Sequence, residues 1–267
     1  MATQLDSIVA YHRQRAASDG RRLASVMKAA GRVADPPSLL DALVRSGGEP
    51  LRVIAEVKRR SPSAGALAAD LDPAALAAAY EDGGAAAISV LTDAPHFGGS
   101  PDDVARVRSA TTLPVLRKDF TVSGLDVADA RIMGASGVLL IVAALSRREV
   151  RSFLELADAL GITALVEVHD AAELEVALDL GALVVGVNQR DLNTFEIDPN
   201  RAESLAASFP SDVVTIAESG IGDADAARRC AELGYDAVLV GEAFVRAADP
   251  SSAVAAFRAP ASQIAAT

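Results

Sequence analysis

Between residues 52 and 241, short apolar runs recur at near-regular intervals, each followed by an alanine-rich stretch with helical periodicity. The runs are 52–58 (RVIAEVK), 86–91 (AAISVL), 114–118 (PVLRK), 137–142 (GVLLIV), 163–168 (TALVEV), 183–188 (LVVGVN), 212–217 (DVVTIA) and 237–241 (AVLVG). Their length and β-branched content predict strands. Near-continuous apolar character fits a parallel sheet covered on both faces better than a half-exposed antiparallel one. The segments 73–82, 101–109, 123–134, 147–160, 171–180, 199–207, 223–233 and, after the last run, 250–258 predict amphipathic helices. Asp72-Pro73, Ser100-Pro101 and Asp198-Pro199 each put a capping residue before a proline at the first helical position. Gly83, Gly134, Gly161, Gly181 and Gly234 stand where helices close.

Eight such β-α units predict a (β/α)8 TIM barrel, an α/β fold that takes about 250 residues. An open doubly wound sheet is the alternative, but no G-x-G-x-x-G follows the first run, and eight evenly repeated units favour closure. Residues 1–50 fit no β-α unit and predict an N-terminal helical extension, with helices near 3–18 and 36–46 capping one barrel end. No linker rich in Pro, Gly or Ser separates it from 51–267, so the chain reads as one domain.

Polar residues break the apolar pattern at one kind of place. Glu56 and Lys58 end the first run, two positions apart and hence on one face of the strand. Burying either charge unpaired would cost several kcal/mol or more. The same thing happens at Lys118 on the third run, Glu167 on the fifth, Asn188 and Arg190 on the sixth, and Glu218 and Ser219 on the seventh. In a barrel of this kind the strand C-termini form the active-site mouth, so these groups are expected to share a cavity. Ser219-Gly220 and Gly241-Glu242 follow the last two strands, where such barrels commonly bind phosphate with backbone N–H groups and a short helix, here expected within 242–247. Phe97, in the loop after the second strand, is placed to close over a ligand.

Composition sharpens this. Of 25 basic residues only three are lysine, Lys28, Lys58 and Lys118, and two of those end apolar runs. Arginine stays protonated, whereas a desolvated lysine can have its pKa lowered and can pass on a proton. The formal charge of −11 and an aromatic content of 4% argue against nucleic acid, and no run is long enough to span a membrane. An anionic substrate would therefore need local cations and backbone donors. The one cysteine, Cys230, builds no disulfide framework and reads as a packing residue. His12 and His96 have no carboxylate or histidine at ligand spacing, which predicts no metal site. His169 reads as a solvated loop residue. With no signal-peptide pattern at the start, a soluble cytoplasmic protein without an obligate protein partner is expected.

The blocks VIAEVKRRSPSAG, ISVLTD…FGGS, LRKDF, LVEVHD, GVNQRDLNTFEID, AESGI and VLVGEAFVR occur in order over 53–246. Together with the helical extension, they resemble indole-3-glycerol-phosphate synthase. The resemblance implies conversion of 1-(2-carboxyphenylamino)-1-deoxyribulose 5-phosphate to indole-3-glycerol phosphate in tryptophan biosynthesis, with loss of carbon dioxide and water and no cofactor. It implies Lys118 as general acid and Lys58 as holder of the substrate carboxylate and donor in the dehydration. Glu167 would be base or cation stabiliser, Glu56 would tune both lysines, and Asn188 and Arg190 would orient the substrate. Ser61, Ser219, Gly220, Gly241 and Glu242 would surround the phosphate, Glu218 would contact the substrate, and Phe97, Phe120, Leu139 and Leu192 would line an aryl pocket. Two positions depart from the family pattern: Ala64, where a basic residue is frequent, and Ala243, where serine is. A neighbouring phosphoribosylanthranilate isomerase would be expected to need a cysteine at a strand end, and none is there. A non-catalytic phosphate-binding barrel would have no use for two lysines and two glutamates around one cavity.

Overall fold

Inward and outward residues alternate along each strand of this chain, and the alternation explains where the charges go. The computed structural model describes residues 3–46, 48–61, 65–191, 194 and 196–258; Leu192 and Ala64 lie outside the described residues. Eight parallel strands close into a barrel: β1 (Arg52–Val57), β2 (Ala87–Leu91), β3 (Val115–Lys118), β4 (Gly137–Ile141), β5 (Thr163–Val168), β6 (Val184–Asn188), β7 (Val214–Glu218) and β8 (Ala237–Val240). Val53, Ala55 and Val57 face outward into the layer between sheet and helices, with Tyr80 and Phe244. Ile54, on the other parity, joins Ala87, Leu116, Leu139, Leu165 and Ile216 inside the barrel. Two residues further along, the same parity reaches Glu56, Ser89, Lys118, Glu167 and Glu218. Apolar layers fill the lower barrel, and the charged layer sits on top of them.

Helices occupy all eight predicted intervals: α4 (Pro73–Asp82), α5 (Pro101–Ala110), α6 (Gly124–Ile132), α7 (Arg147–Ala159), α8 (Ala171–Asp179), α9 (Asn200–Ala206), α10 (Ala224–Glu232) and α11 (Pro250–Phe257), after α1 to α3 of the extension. Asp72 and Ser100 cap as expected, each accepting a backbone N–H. At α9 the cap position falls on Pro199, and Asp198 accepts from the N–H of Asn200 instead. The left-handed residue after α4 is Gly84, with φ 83°, rather than Gly83. One-turn helices at Ala94–Phe97 and Glu242–Val245 and a two-residue antiparallel ladder, Arg60–Ser61 with Gly65–Ala66, decorate the mouth.

Both helices expected in the extension form, but their number and placement differ from the expectation. The extension holds three helices, α1 (Gln4–Ala17), α2 (Leu23–Ala30) and α3 (Leu39–Leu43), and they do not gather at one end. Leu39 and Leu43 of α3 plug the N-terminal end, joining the interior cluster, and a Cβ on Gly137 would lie 2.5 Å from Leu39. Helix α2 lies along α6. Helix α1 is tied to the mouth, where His12 Nε2 meets Asp93 Oδ2 at 2.7 Å and Arg13 pairs with Glu149 at 2.8 Å. A helix is recognised in sequence by its own periodicity, but the surface it docks on is chosen by complementary residues far along the chain.

Candidate active site

The mouth encloses a cavity of about 480 Å3. Every described residue expected at the site lines it: Glu56, Lys58, Ser61, Phe97, Lys118, Phe120, Leu139, Glu167, Asn188, Arg190, Glu218, Ser219, Gly220, Gly241 and Glu242. For those on the strands, the rule that i and i+2 share a face is what brings them together.

Lys118 stands at the centre. Its Nζ lies 3.3 Å from Glu167 Oε2 and 3.2 Å from Glu218 Oε2. Lys58 Nζ pairs with Glu56 Oε1 at 2.7 Å, and Ser89 donates to Glu56 Oε2 at 3.3 Å. Asn188 Nδ2 donates to Glu167 Oε1 at 3.0 Å, while its own Oδ1 accepts the backbone N–H of Arg190. Asn188 is thereby fixed in one amide orientation, pointing its donor at the carboxylate.

Electrostatics correct one expectation. Burial alone pushes the Lys118 ammonium toward the lowered pKa anticipated for a desolvated lysine, but the carboxylates of Glu218, Glu167 and Glu56 outweigh it and raise the value. Lys118 is therefore held as a cation. Burial also disfavours ionised Glu56 and Glu167, yet Lys58 and Lys118 hold Glu56, and Lys118 and His169 hold Glu167, below the ordinary carboxylate range. Glu218 goes the other way. Burial, with repulsion from Glu167 and Glu56, pushes it up to about 7 against the opposing pull of Lys118. Two neighbouring carboxylates with separated pKa values are the usual basis for one acting as acid and the other as base.

Glycine makes the crowding feasible. Gly186 faces inward between Val184 and Asn188, and a Cβ there would overlap Glu218 Oε1. At Gly241 a Cβ would lie 2.8 Å from Glu56 Oε1 and 3.1 Å from Lys58 Nζ. Gly186→Ala is expected to displace the Glu218 carboxylate and destabilise the fold by about 1–3 kcal/mol, the usual cost of overpacking. Thermal unfolding checks this: an unchanged Tm would mean the carboxylate moves aside freely. At the phosphate-type end, Ser219 has φ 62° and Gly220 φ 73°, and Ser219 is the sole non-glycine residue with positive φ among the described residues. Gln189 Nε2 donates to the Ser219 carbonyl at 2.7 Å and anchors this turn. Arg190 also lines the cavity, and burial lowers its pKa.

Several groups escaped the reading of the sequence. Ser89 has the inward parity of β2, which was legible; Gln189 and Gly186 matter only through contacts that no local pattern reports. His169 is not solvated: its side chain is 10% exposed and its Nε2 lies 3.6 Å from Glu167 Oε1. Nor are His12 and His96 isolated from acidic groups. Both meet Asp93 Oδ2, at 2.7 and 2.8 Å, and the ligand atoms of the three residues lie within 4.8 Å of one another. The tie is made between α1 and the loop after β2, a separation that spacing along the chain does not reveal. One carboxylate oxygen accepting from both imidazoles accounts for this cluster as a brace between the extension and the mouth. Burial holds the Asp93 carboxyl back, but these hydrogen bonds prevail and bring it to about 2. Cys230 is buried on α10, with its thiol pushed up to about 11 by burial, and does not line the cavity.

Known proteins resemble this chain in sequence and in fold. A family model described as indole-3-glycerol phosphate synthase matches residues 5–257. The indole-3-glycerol phosphate synthase of Mycobacterium avium is 49% identical over 255 residues, 95% of this chain and 93% of that protein. That of Micrococcus luteus is 50% identical over 238 residues, covering 89% and 88%. Among solved structures, a thiamine phosphate pyrophosphorylase from Pyrococcus furiosus superimposes with a TM-score of 0.59 at 20% identity, over 78% of this chain and 94% of that one. An N-acetylmannosamine-6-phosphate 2-epimerase from Clostridium perfringens gives 0.59 at 17%, over 79% and 92%. At such identities the structural likeness speaks for the barrel alone. The sequence matches span nearly the whole chain, and the chain belongs to the indole-3-glycerol-phosphate synthase family.

Proposed function

We propose that this cavity carries out the family's ring closure with Lys118 as its acid. The reaction is a carboxy-lyase step of tryptophan biosynthesis, converting 1-(2-carboxyphenylamino)-1-deoxyribulose 5-phosphate to indole-3-glycerol phosphate, carbon dioxide and water. The observation that carries the reading is a buried ammonium held among three carboxylates at the floor of the mouth. As the aromatic carbon attacks the ketone, charge develops on the ketone oxygen. Lys118 donates its proton there, since an alkoxide is basic enough to take it even from a lysine of raised pKa.

Lys58, paired with Glu56 at the rim, binds the substrate carboxylate until carbon dioxide leaves and then donates in the dehydration. Glu167 accepts the proton lost from the indoline as the second double bond forms, and Asn188 keeps its carboxylate oriented. Glu218 contacts the substrate beside Lys118. Arg190, Ser61, Ser219, Gly220, Gly241 and the backbone of Glu242 surround the phosphate, while Phe97, Phe120 and Leu139 line the aryl pocket. The protein works in the cytoplasm on this small phosphorylated substrate, without nucleic acid, an obligate protein partner or a cofactor. No helix among the described residues is long and apolar enough to cross a membrane.

A turnover assay on purified protein with the carboxyphenylamino substrate, followed by indole fluorescence, tests the activity. Fluorescence should rise, and Lys58→Met should raise KM and lower kcat together. Unchanged KM and kcat in that variant would remove Lys58 from its role. Binding without turnover by the folded wild type would overturn the reaction itself.

A further inference from the structure

We propose that Gln189 is a positioning residue for the phosphate end of the cavity: it pins the Ser219 carbonyl from behind and thereby turns the Gly220 N–H inward as a phosphate donor. This rests on the reading of Ser219 and Gly220 as phosphate ligands. The need comes from charge. The chain carries a formal −11, and Glu218 and Glu242 both line the mouth. A phosphate settling there depends on backbone donors that face it, and a peptide turned the wrong way offers a carbonyl oxygen instead.

The Ser219–Gly220 peptide needs such a hold. Ser219 has φ 62° and Gly220 φ 73°, so a glycine, which tolerates almost any rotation, stands on one side of the plane. Ser219 itself is in the left-handed region that side chains rarely adopt. Gln189 follows Asn188 at the end of β6 and continues the outward parity of Val185 and Val187. It is 4% exposed and does not line the cavity. Its Nε2 donates to the Ser219 carbonyl at 2.7 Å, and among the described residues no other side chain donates there. A trans peptide carries its carbonyl and the next N–H on opposite sides, and no peptide among the described residues is cis. With its carbonyl drawn back to Gln189, the peptide directs the Gly220 N–H away from the wall, toward the cavity that Ser219 and Gly220 line.

The backbone of Gln189 fixes its side chain in turn. Its N–H donates to the Glu218 carbonyl at 3.0 Å, and its carbonyl accepts the N–H of Asp198 at 2.8 Å. Beside it, Arg190 forms an antiparallel bridge with Ile197, which lays Ile197 over the turn: a Cβ at Gly220 would lie 2.6 Å from Ile197 Cγ2. The peptide is therefore gripped between the amide of Gln189 and the side chain of Ile197. Gly220 is exposed at the mouth, and among the described residues no acceptor meets its N–H. The donor is thus aimed and unpaired. Because glutamine is neutral, it orients this donor without adding a charge near Glu218 and Lys118, so its effect falls on binding and not on the acid–base groups.

The test compares wild type with Gln189→Met, which keeps the length of the side chain and removes its donor; Gln189→Leu repeats the comparison should the methionine variant fail to fold. KM for the substrate and the competitive inhibition constant of inorganic phosphate should rise together by about tenfold, the low end for a hydrogen bond to a charged group. The change in kcat should be much smaller. The same substrate lacking its phosphate should show equal kcat/KM in wild type and variant, a readout that a general packing defect would not spare. Heteronuclear NMR should show the Gly220 amide shifting on addition of phosphate to wild type. An unchanged phosphate inhibition constant in the variant, with the Gly220 amide still shifting in both proteins, would overturn the role of Gln189 and leave the phosphate site standing. Equal losses with and without the substrate phosphate would overturn it in favour of packing. A Gly220 amide that phosphate leaves unmoved in wild type would strike instead at the phosphate reading itself, and the inference would fall with it.

Discussion

Lys118→Met is expected to lower kcat by about 10²–10⁴-fold, the range that a positioned general acid contributes. The substitution preserves length and apolar stem while removing the one donor that faces Glu167 and Glu218 together. Its effect on the fold has a sign that can be worked out. In the wild type Lys118 opposes protonation of Glu56, Glu167 and Glu218. Without it these buried carboxylates gain folded-state pKa values above their unfolded ones. A group raised in this way contributes stability at low pH that is lost as pH rises through the folded value. The variant should therefore stay folded, losing more Tm relative to wild type near pH 8 than near pH 6, as about the window of a buried carboxyl raised toward neutrality. Circular dichroism melts and the fluorescence assay check the two halves. A kcat within a few-fold of wild type would remove Lys118 from the mechanism.

Glu167→Gln should lower kcat by a similar factor of about 10²–10⁴, because the amide keeps the shape and the Asn188 contact but cannot accept a proton. It also perturbs its neighbour in a measurable way. Glu167 is one of the charges holding Glu218 up to about 7, behind burial itself. Neutralising it moves the Glu218 value back toward 4.5. In the wild type, Glu218 contributes stability that is complete below its unfolded value and disappears as pH rises through about 7. In Glu167→Gln that loss should be smaller and centred at lower pH. Melting temperatures of both proteins through this window, with Glu218→Gln as the control lacking the titration, decide the matter. Identical pH dependence in all three would dismiss Glu218 as the titrating group.

Much of this site was legible along the chain, for a definite reason. Strand periodicity is exact at two residues, so once Ile54 is inside, Glu56 is too, and the same parity carries Leu116 to Lys118 and Leu165 to Glu167. Polar residues ending apolar runs therefore mark a shared cavity in the sequence itself. The helix caps at Asp72 and Ser100 and the eight-unit barrel followed from equally local chemistry. What tertiary structure alone decided depends on pairs that no local rule connects. The sign of the Lys118 shift is set by carboxylates on three other strands, which overturn what burial by itself would do. The bond between His12 and Asp93 spans 81 residues and, with His96 on the same carboxylate oxygen, gives α1 its seat at the mouth. His169 reads as a solvated loop residue because its position after strand β5 is local, while its burial beside Glu167 and its bond to Glu173 of α8 come only with the folded chain. Sequence determines the parity and type of each element here; the field at each buried charge is a sum over neighbours, and only the folded chain assembles that sum.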